Sequence, residues 1–450
     1  MVQRLILTKL LTLLVVFFGV HLSDLPVTAQ EDSESQEQQS EGQQSEEQLE
    51  EQQVLDEFSP NPLNSEIPDP LLPNPPAAGQ ILSEARQEDL VPALDQLNLD
   101  ATAALENGNP IAAFTLWTRE LRLRRYLGPG PEIAALRRVG LVAWENGQRI
   151  YLKFITERLN EIFQTAQADP AENTELLQNL GLAFEDVRAK DSAIQTYGVL
   201  QTQAREDQNI LAEEKALDEI AEVYLSWLDY PNAAATYETL LETQQEIQSL
   251  RNEGSLAPLP ASSAGEQEGE DAEQPSQVKS LKNLSFVYQQ LGQPLQAIAA
   301  QERLIGYYLE RQNPQPIPDL KLSIGQDYEQ LGQFQQASQN YQEAYTLATT
   351  IQQFANSSEA LERLARLYRM QNQPQAALEL YQAQLLINQQ SYNTYGMMSS
   401  YDNMGQIYFE QKAFQRALAS FRAGLELAQQ LGYREDYFTQ KIEMVNRQIF

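Results

Sequence analysis

Catalytic chemistry is hard to assemble from this chain. Its one histidine, His21, lies in an apolar N-terminal stretch, and cysteine is absent. A chain cut after that stretch would lack the commonest general base, the thiolate nucleophile and the usual ligands of zinc, haem and iron–sulfur sites. Paired carboxylates are plentiful among 63 Asp and Glu residues, and for that reason carry little information. Gly128-Pro129-Gly130 lacks the third glycine of a dinucleotide site. No phosphate-loop lysine follows a Gly-rich turn, and no acidic loop has calcium-hand spacing. The expectation is a protein with no catalytic residue, no metal and no cofactor.

Positive charge is scarce, 31 Lys and Arg in a net charge of -32, so its placement is informative. Such a field repels a phosphate backbone, which argues against nucleic acid as a partner. Arg363, Arg366 and Arg369 share one helix face, and Lys279 and Lys282 sit close together. These five form either a cationic patch for a carboxylate-bearing partner or, for the arginines, intra-helix pairs with Glu359 and Glu362. A second cluster, Arg119, Arg122, Arg124, Arg125, Arg137 and Arg138, reads mainly as a solvated face. The acidic N-terminal tail, Gln30 to Phe58, is expected to compete with partners for these cationic positions.

The chain divides by composition. Residues 1–29 have a basic start at Arg4 and Lys9, an apolar core from Leu10 to Val20, and Val27-Thr28-Ala29 before a cut. This is the pattern of a signal peptide, with an apolar core shorter than the ~20 residues that span a bilayer. Residues 30–58 are rich in Gln and Glu, without Lys or Arg, and are expected to be disordered. Residues 59–79 hold seven prolines and read as an extended linker, so the folded part is expected to begin near Gln80.

From there a frame recurs every 40 residues. Gly325 is followed by Tyr328 at +3, Gly332 at +7, Ala337 at +12 and Tyr341 at +16; Ala365 and Gly405 start the next two copies. Ala101, Gly140, Gly181, Ala221 and Ser285 start the earlier ones, and the copy from Gly140 is degenerate, with Leu152 where the alanine belongs. The interval from Ala221 to Ser285 is one period plus an acidic insertion at 253–276. Positions 0 and +3 share one helix face, as do +12 and +16. Each unit is therefore a helical hairpin, crossing closely at the small residues, with a turn at +7 that wants Gly or Asn. The aromatics at +3 (Phe184, Tyr224, Tyr288, Tyr328, Tyr368, Tyr408) are expected in the core. Phe438, Ile442, Val445 and Ile449 give 433–450 one apolar stripe, the mark of a capping helix.

This frame of small residue, aromatic, turn glycine, alanine and aromatic resembles the tetratricopeptide repeat family, and its long period is similar to that of kinesin light chain. The resemblance implies an all-α, right-handed solenoid of about eight hairpins over 80–432. It implies a scaffold whose first helices line a concave groove that holds a peptide or protein partner. Asn179, Asn283 and Asn403 fall two residues before the frame origin. In related repeats an amide there bonds the main chain of a bound peptide; the alternative is an exposed polar residue on a helix. Lys279, Lys282, Arg363, Arg366 and Arg369 also fall at groove positions. The leader implies an exported protein, periplasmic, thylakoid-lumenal or secreted, touching a membrane only if residues 1–29 are retained. The rival expectation is an α-helical enzyme acting on carbohydrate or peptidoglycan.

Overall fold

The computed structural model describes residues 59–256 and 276–449, apart from Glu66 and Ala78. All belong to one compact unit, residues 55–450. The leader, the acidic tail and most of the 253–276 insertion lie outside the described residues.

Eight hairpins follow one another: α1 (Glu84–Glu106) with α2 (Pro110–Arg124), α3 (Pro129–Glu145) with α4 (Arg149–Ala166), α5 (Thr174–Asp186) with α6 (Lys190–Glu206), and α7 (Ile210–Ser226) with α8 (Tyr230–Asn252). Then come α9 (Ser276–Gln290) with α10 (Pro294–Glu310), α11 (Ile317–Gln330) with α12 (Phe334–Thr350), α13 (Phe354–Met370) with α14 (Pro374–Gln390), and α15 (Thr394–Glu410) with α16 (Phe414–Leu431). A last helix, α17 (Glu435–Ile449), closes the array. Each helix packs on its neighbours in sequence, and the described residues contain no strand. The expected all-α solenoid of eight hairpins and a cap is what is found.

The hairpin turns show why position +7 matters. In hairpin six Gly332 N–H donates to Glu329 O (2.9 Å) and Gln333 N–H to Tyr328 O (2.9 Å). These bonds satisfy carbonyls that the helix end would otherwise leave open, and they require a left-handed residue at 332, where φ is +69°. All eight turns repeat this geometry, including three where the sequence offers neither Gly nor Asn: Arg188 (φ 62°), Leu228 (φ 60°) and Lys412 (φ 58°). A side chain there is strained by ~1–2 kcal/mol. Leu228 is also 66% exposed, so it gains little from packing. Leu228→Gly is expected to stabilise the protein by about 0.5–1 kcal/mol after glycine's larger unfolded-state entropy is subtracted. A lower midpoint in urea unfolding would contradict this reading of the turn.

The crossings follow the frame equally closely. A Cβ on Gly181 would strike the Tyr197 ring, on Gly325 the Tyr341 ring and on Gly405 the Phe421 ring, so the +16 aromatic lies flat against a backbone that has room only for hydrogen. Hairpin two departs from this. Its second helix is displaced by one position, burying Ile155 in place of Thr156, and Val187 from the turn of hairpin three fills the space beside Gly140. At the other end Phe438 packs on Gly424, and Val445 is fully buried with it, which makes α17 the expected cap. Of the +3 aromatics only Phe184 is fully buried. The tyrosines are half-buried with their rims against the core, and Tyr288 reaches out to donate to Glu238 Oε1 (2.9 Å).

The Pro-rich segment departs from expectation. Instead of a free spacer, it is a strap across hairpins one and two, so ordered structure begins well before Gln80. Asn61 caps a single 3-10 turn, Pro62–Asn64, and donates to the Phe154 carbonyl (2.9 Å); Asn64 donates to Glu161 (2.7 Å). Leu63 joins Phe114, Leu121 and Phe154 in the core. Leu72 packs with Leu90, Leu94 and Leu123. Between them Asp69 is 5% exposed and accepts from Arg119 Nε (2.8 Å), Arg119 Nη2 (2.8 Å) and Arg122 Nη2 (3.1 Å). Prolines have little freedom to lose and no N–H to leave unpaired, so a few leucines and one buried carboxylate suffice to dock them.

Candidate functional site

The first helices, α1 to α15 by odd number, present the positions where the sequence places its polar candidates. The structure accounts for most of the cations internally. Arg363 pairs with Glu359 one turn away (2.7 Å) and donates to Gln326 of the preceding hairpin (3.2 Å). Arg366 reaches back to Glu329 (3.2 Å) and Arg369 forward to Glu410 (2.5 Å). Lys279 bridges Asp218 (3.0 Å) and Glu222 (3.1 Å) across the insertion, while Lys282 is exposed on the same helix. These pairs tie neighbouring hairpins together. Intra-helix pairing, the simpler expectation, holds for Arg363 alone.

The Arg119–Arg138 cluster is likewise neither a free patch nor a plain solvated face. Arg119 and Arg122 hold Asp69, Arg137 binds Asp186, and Arg124 and Arg138 converge on Glu120, whose side chain is wholly buried. Arg125 donates to the strap carbonyls of Leu63 and Ser65. The acidic tail expected to compete for this cluster lies outside the described residues.

The tyrosines at +16 supply a second set of polar links. Tyr197 donates to Glu185 (2.6 Å), Tyr237 to Glu222 (3.1 Å), and Tyr341 to Glu329. Burial pushes these hydroxyls well above the usual phenol range, and lifts Tyr381 to about 12, so all stay protonated at any physiological pH.

The three asparagines separate. Asn283 is engaged, donating to Glu222 Oε1 (3.0 Å) and Tyr237 O–H (2.9 Å). Asn179 and Asn403 have no side-chain hydrogen-bond partner among the described residues. Asn179 lines a pocket of about 230 Å³ between hairpins three and four. Its walls are α5 (Thr174, Gln178, Leu182) and α7 (Ala212, Lys215, Ala216, Glu219), and its floor is α6 (Tyr197, Leu200, Ala204). Small residues, Ala204, Ala212 and Ala216, are part of its lining and leave room there. Glu219 is half-buried there and accepts no hydrogen bond from the described residues. Burial first, and the nearby Asp218 charge second, raise its pKa above the ordinary carboxylate value. The sequence did not single out Lys215, Glu219 or Gln178: no residue type marks them, only the convergence of three helices.

A further buried carboxylate lies away from the pocket. Asp327, 1% exposed between hairpins five and six, accepts among the described residues from the neutral amides Gln289 Nε2 (3.2 Å) and Gln301 Nε2 (3.0 Å). Burial raises its pKa. A carboxyl that holds its proton more tightly when folded stabilises the fold most below its unfolded pKa, and that contribution is lost as pH rises through the folded value. Asp327→Asn should therefore be about 1 kcal/mol more stable than the parent at pH 7, with the gain gone near pH 4. Urea midpoints across that range read it; a pH-independent difference would place the effect elsewhere.

Among the described residues no group of His, Cys, Asp or Glu has the arrangement to hold a metal, and no helix is long and apolar enough to cross a membrane.

Comparison with known proteins bears on the array directly. Residues 356–430, hairpins seven and eight, match the family model of the tetratricopeptide repeat. The match covers two of the eight hairpins of the α-helical array. The array is similar to the solved structure of BtubC from P. vanneervenii (16% identity, 54% of this chain and 92% of that one, TM-score 0.34). It is also similar to the C-terminal part of a TPR repeat-containing protein from Cytophaga hutchinsonii (11%, 62% and 94%, TM-score 0.39). A third is the kinesin-light-chain TPR-like repeat protein of Podospora anserina (17%, 48% and 95%, TM-score 0.33). No curated protein matches the chain.

Proposed function

We propose that this protein is a non-catalytic scaffold, and that the first-helix face of hairpins three and four is the groove in which it holds an extended segment of a partner protein. The observation that carries this is the pocket itself. It is the place where the amide of Asn179 stands over apolar floor residues, Tyr197, Leu200 and Ala204. An amide that donates and accepts can pair with an extended main chain whatever its side chains, and the floor gives one side chain a place to be buried. Asn403 offers a second, weaker point of the same kind at hairpin eight. The leader at 1–29 supports action outside the cytoplasm, which N-terminal sequencing of protein from the native host would check by a start at Gln30.

Selection of a displayed random heptapeptide library on the full chain tests the groove. Enriched peptides are expected with the parent and lost with Leu182→Arg, which fills the pocket with a guanidinium. No enrichment, or equal enrichment on both, would overturn the reading.

A further inference from the structure

The cations that the sequence suggested as a landing site for a carboxylate-bearing partner are largely consumed by the fold, and this changes the polarity of the partner. At hairpins three and four Asp186 is tied to Arg137, Asp218 and Glu222 to Lys279, and Glu185 accepts from Tyr197. Among the described residues Glu219 in the pocket has no hydrogen-bond donor. Lys215, one turn away on α7, and Lys279 act on it only through their fields, and Asp218 and Glu222 oppose them. A half-buried carboxylate that has given up part of its hydration without a hydrogen bond in return is an unfavourable arrangement in the empty protein. A cation brought by the partner would relieve it.

We propose that this pocket is the anchor for one lysine or arginine side chain of the bound segment. Its methylenes lie against Leu182, Leu200 and Ala216, its charged head meets Glu219, and Asn179 pairs with the adjacent main chain. The dimensions suit such a side chain: about 230 Å³ holds a long aliphatic stem with its head, and an apolar floor with two carboxylates in the lining, Asp207 and Glu219, matches the amphipathic form of Lys and Arg. The net charge of -32 adds long-range attraction for a basic segment and repels an acidic one. The inference rests on reading this face as a peptide groove.

The test uses four pools of acetylated, amidated heptapeptides whose central residue is Lys, Arg, Leu or Glu and whose other positions are randomised over uncharged residues. Each pool is passed over the immobilised full chain, and the retained fraction is measured by mass spectrometry. The Lys and Arg pools should be retained about tenfold over the Glu pool, the size of one charge-assisted hydrogen bond. Glu219→Gln should bring that ratio to within about twofold, and Glu219→Lys should invert it in favour of the Glu pool. Glu242→Gln, on the exposed side of α8, should leave it unchanged. Equal retention of all four pools would overturn the basic anchor while leaving the peptide groove intact. A basic preference that survives Glu219→Lys would overturn the assignment to this pocket. No retention of any pool would overturn both this inference and the groove reading on which it rests.

Discussion

Gly325→Ala is expected to destabilise the protein by about 2 kcal/mol or more, although alanine is the better helix former by ~1 kcal/mol. The added Cβ would lie 2.7 Å from Tyr341 Cδ1 and closer still to Cε1. That ring cannot move aside cheaply, because Tyr341 is fully buried and its hydroxyl is held by Glu329. Gly306 provides the matched control: it is also inside a helix, α10, but a Cβ there meets nothing within 4 Å. Gly306→Ala should therefore stabilise by about 0.5–1 kcal/mol. Opposite signs for the same substitution, measured by urea unfolding, are what the hairpin-crossing frame requires. Two changes of the same sign would count against it.

Asp69→Ala should cost about 2–3 kcal/mol in stability of the strap region. Removing the carboxylate leaves two guanidinium groups facing each other, and breaking a buried pair is worth ~3–5 kcal/mol when both partners are fully buried. The lower figure applies because the Arg119 side chain is 34% exposed and water screens part of the loss. The expected readout is proteolysis: cutting within 59–79 should accelerate strongly while the hairpins remain resistant. Acid should act in the same direction. The hydrogen bond from Arg119, outweighing burial, holds the Asp69 carboxyl below its ordinary value. Its contribution is therefore fully present above the unfolded pKa of ~3.9 and is lost as pH falls through the depressed folded value. A strap equally resistant in the parent and in Asp69→Ala would show that the ion pair does not hold it.

The fold was legible in the sequence wherever one residue type answers one local demand. A recurring small residue with an aromatic sixteen positions on can mean only a close crossing, and the crossings at Gly181, Gly325 and Gly405 obey it. Turn positions were legible where they carry Gly or Asn; at Arg188, Leu228 and Lys412 the rest of the hairpin forces the conformation on residues that resist it. The strap was misread because proline density signals an extended chain in isolation. What docks the segment is long-range: Asp69 and Asn61 find partners some fifty to ninety residues away, and Leu63 and Leu72 pack on the helices of hairpins one and two. The site was legible only in part for the same reason. Residue type and frame position singled out Asn179, Arg363, Arg366 and Arg369 as candidates, but whether a charge is free depends on the adjacent hairpin, which no single repeat reveals. Arg366 met Glu329 and Lys279 met Asp218 across such boundaries. Glu219 carried no mark in sequence at all; its isolation in a pocket is a property of three helices together.

The chain contains no cysteine, so one introduced thiol is unique. Gln178→Cys on α5, at the pocket wall, and Thr202→Cys on the exposed side of α6 would each be labelled with a thiol-specific photo-crosslinker and irradiated with a biotinylated Lys-centred peptide pool. Cross-linked peptide from position 178, abolished by excess unlabelled pool, with none from position 202, is the result this account predicts. Equal cross-linking from both positions, or cross-linking from 202 alone, would contradict the claim that the first-helix face holds the partner.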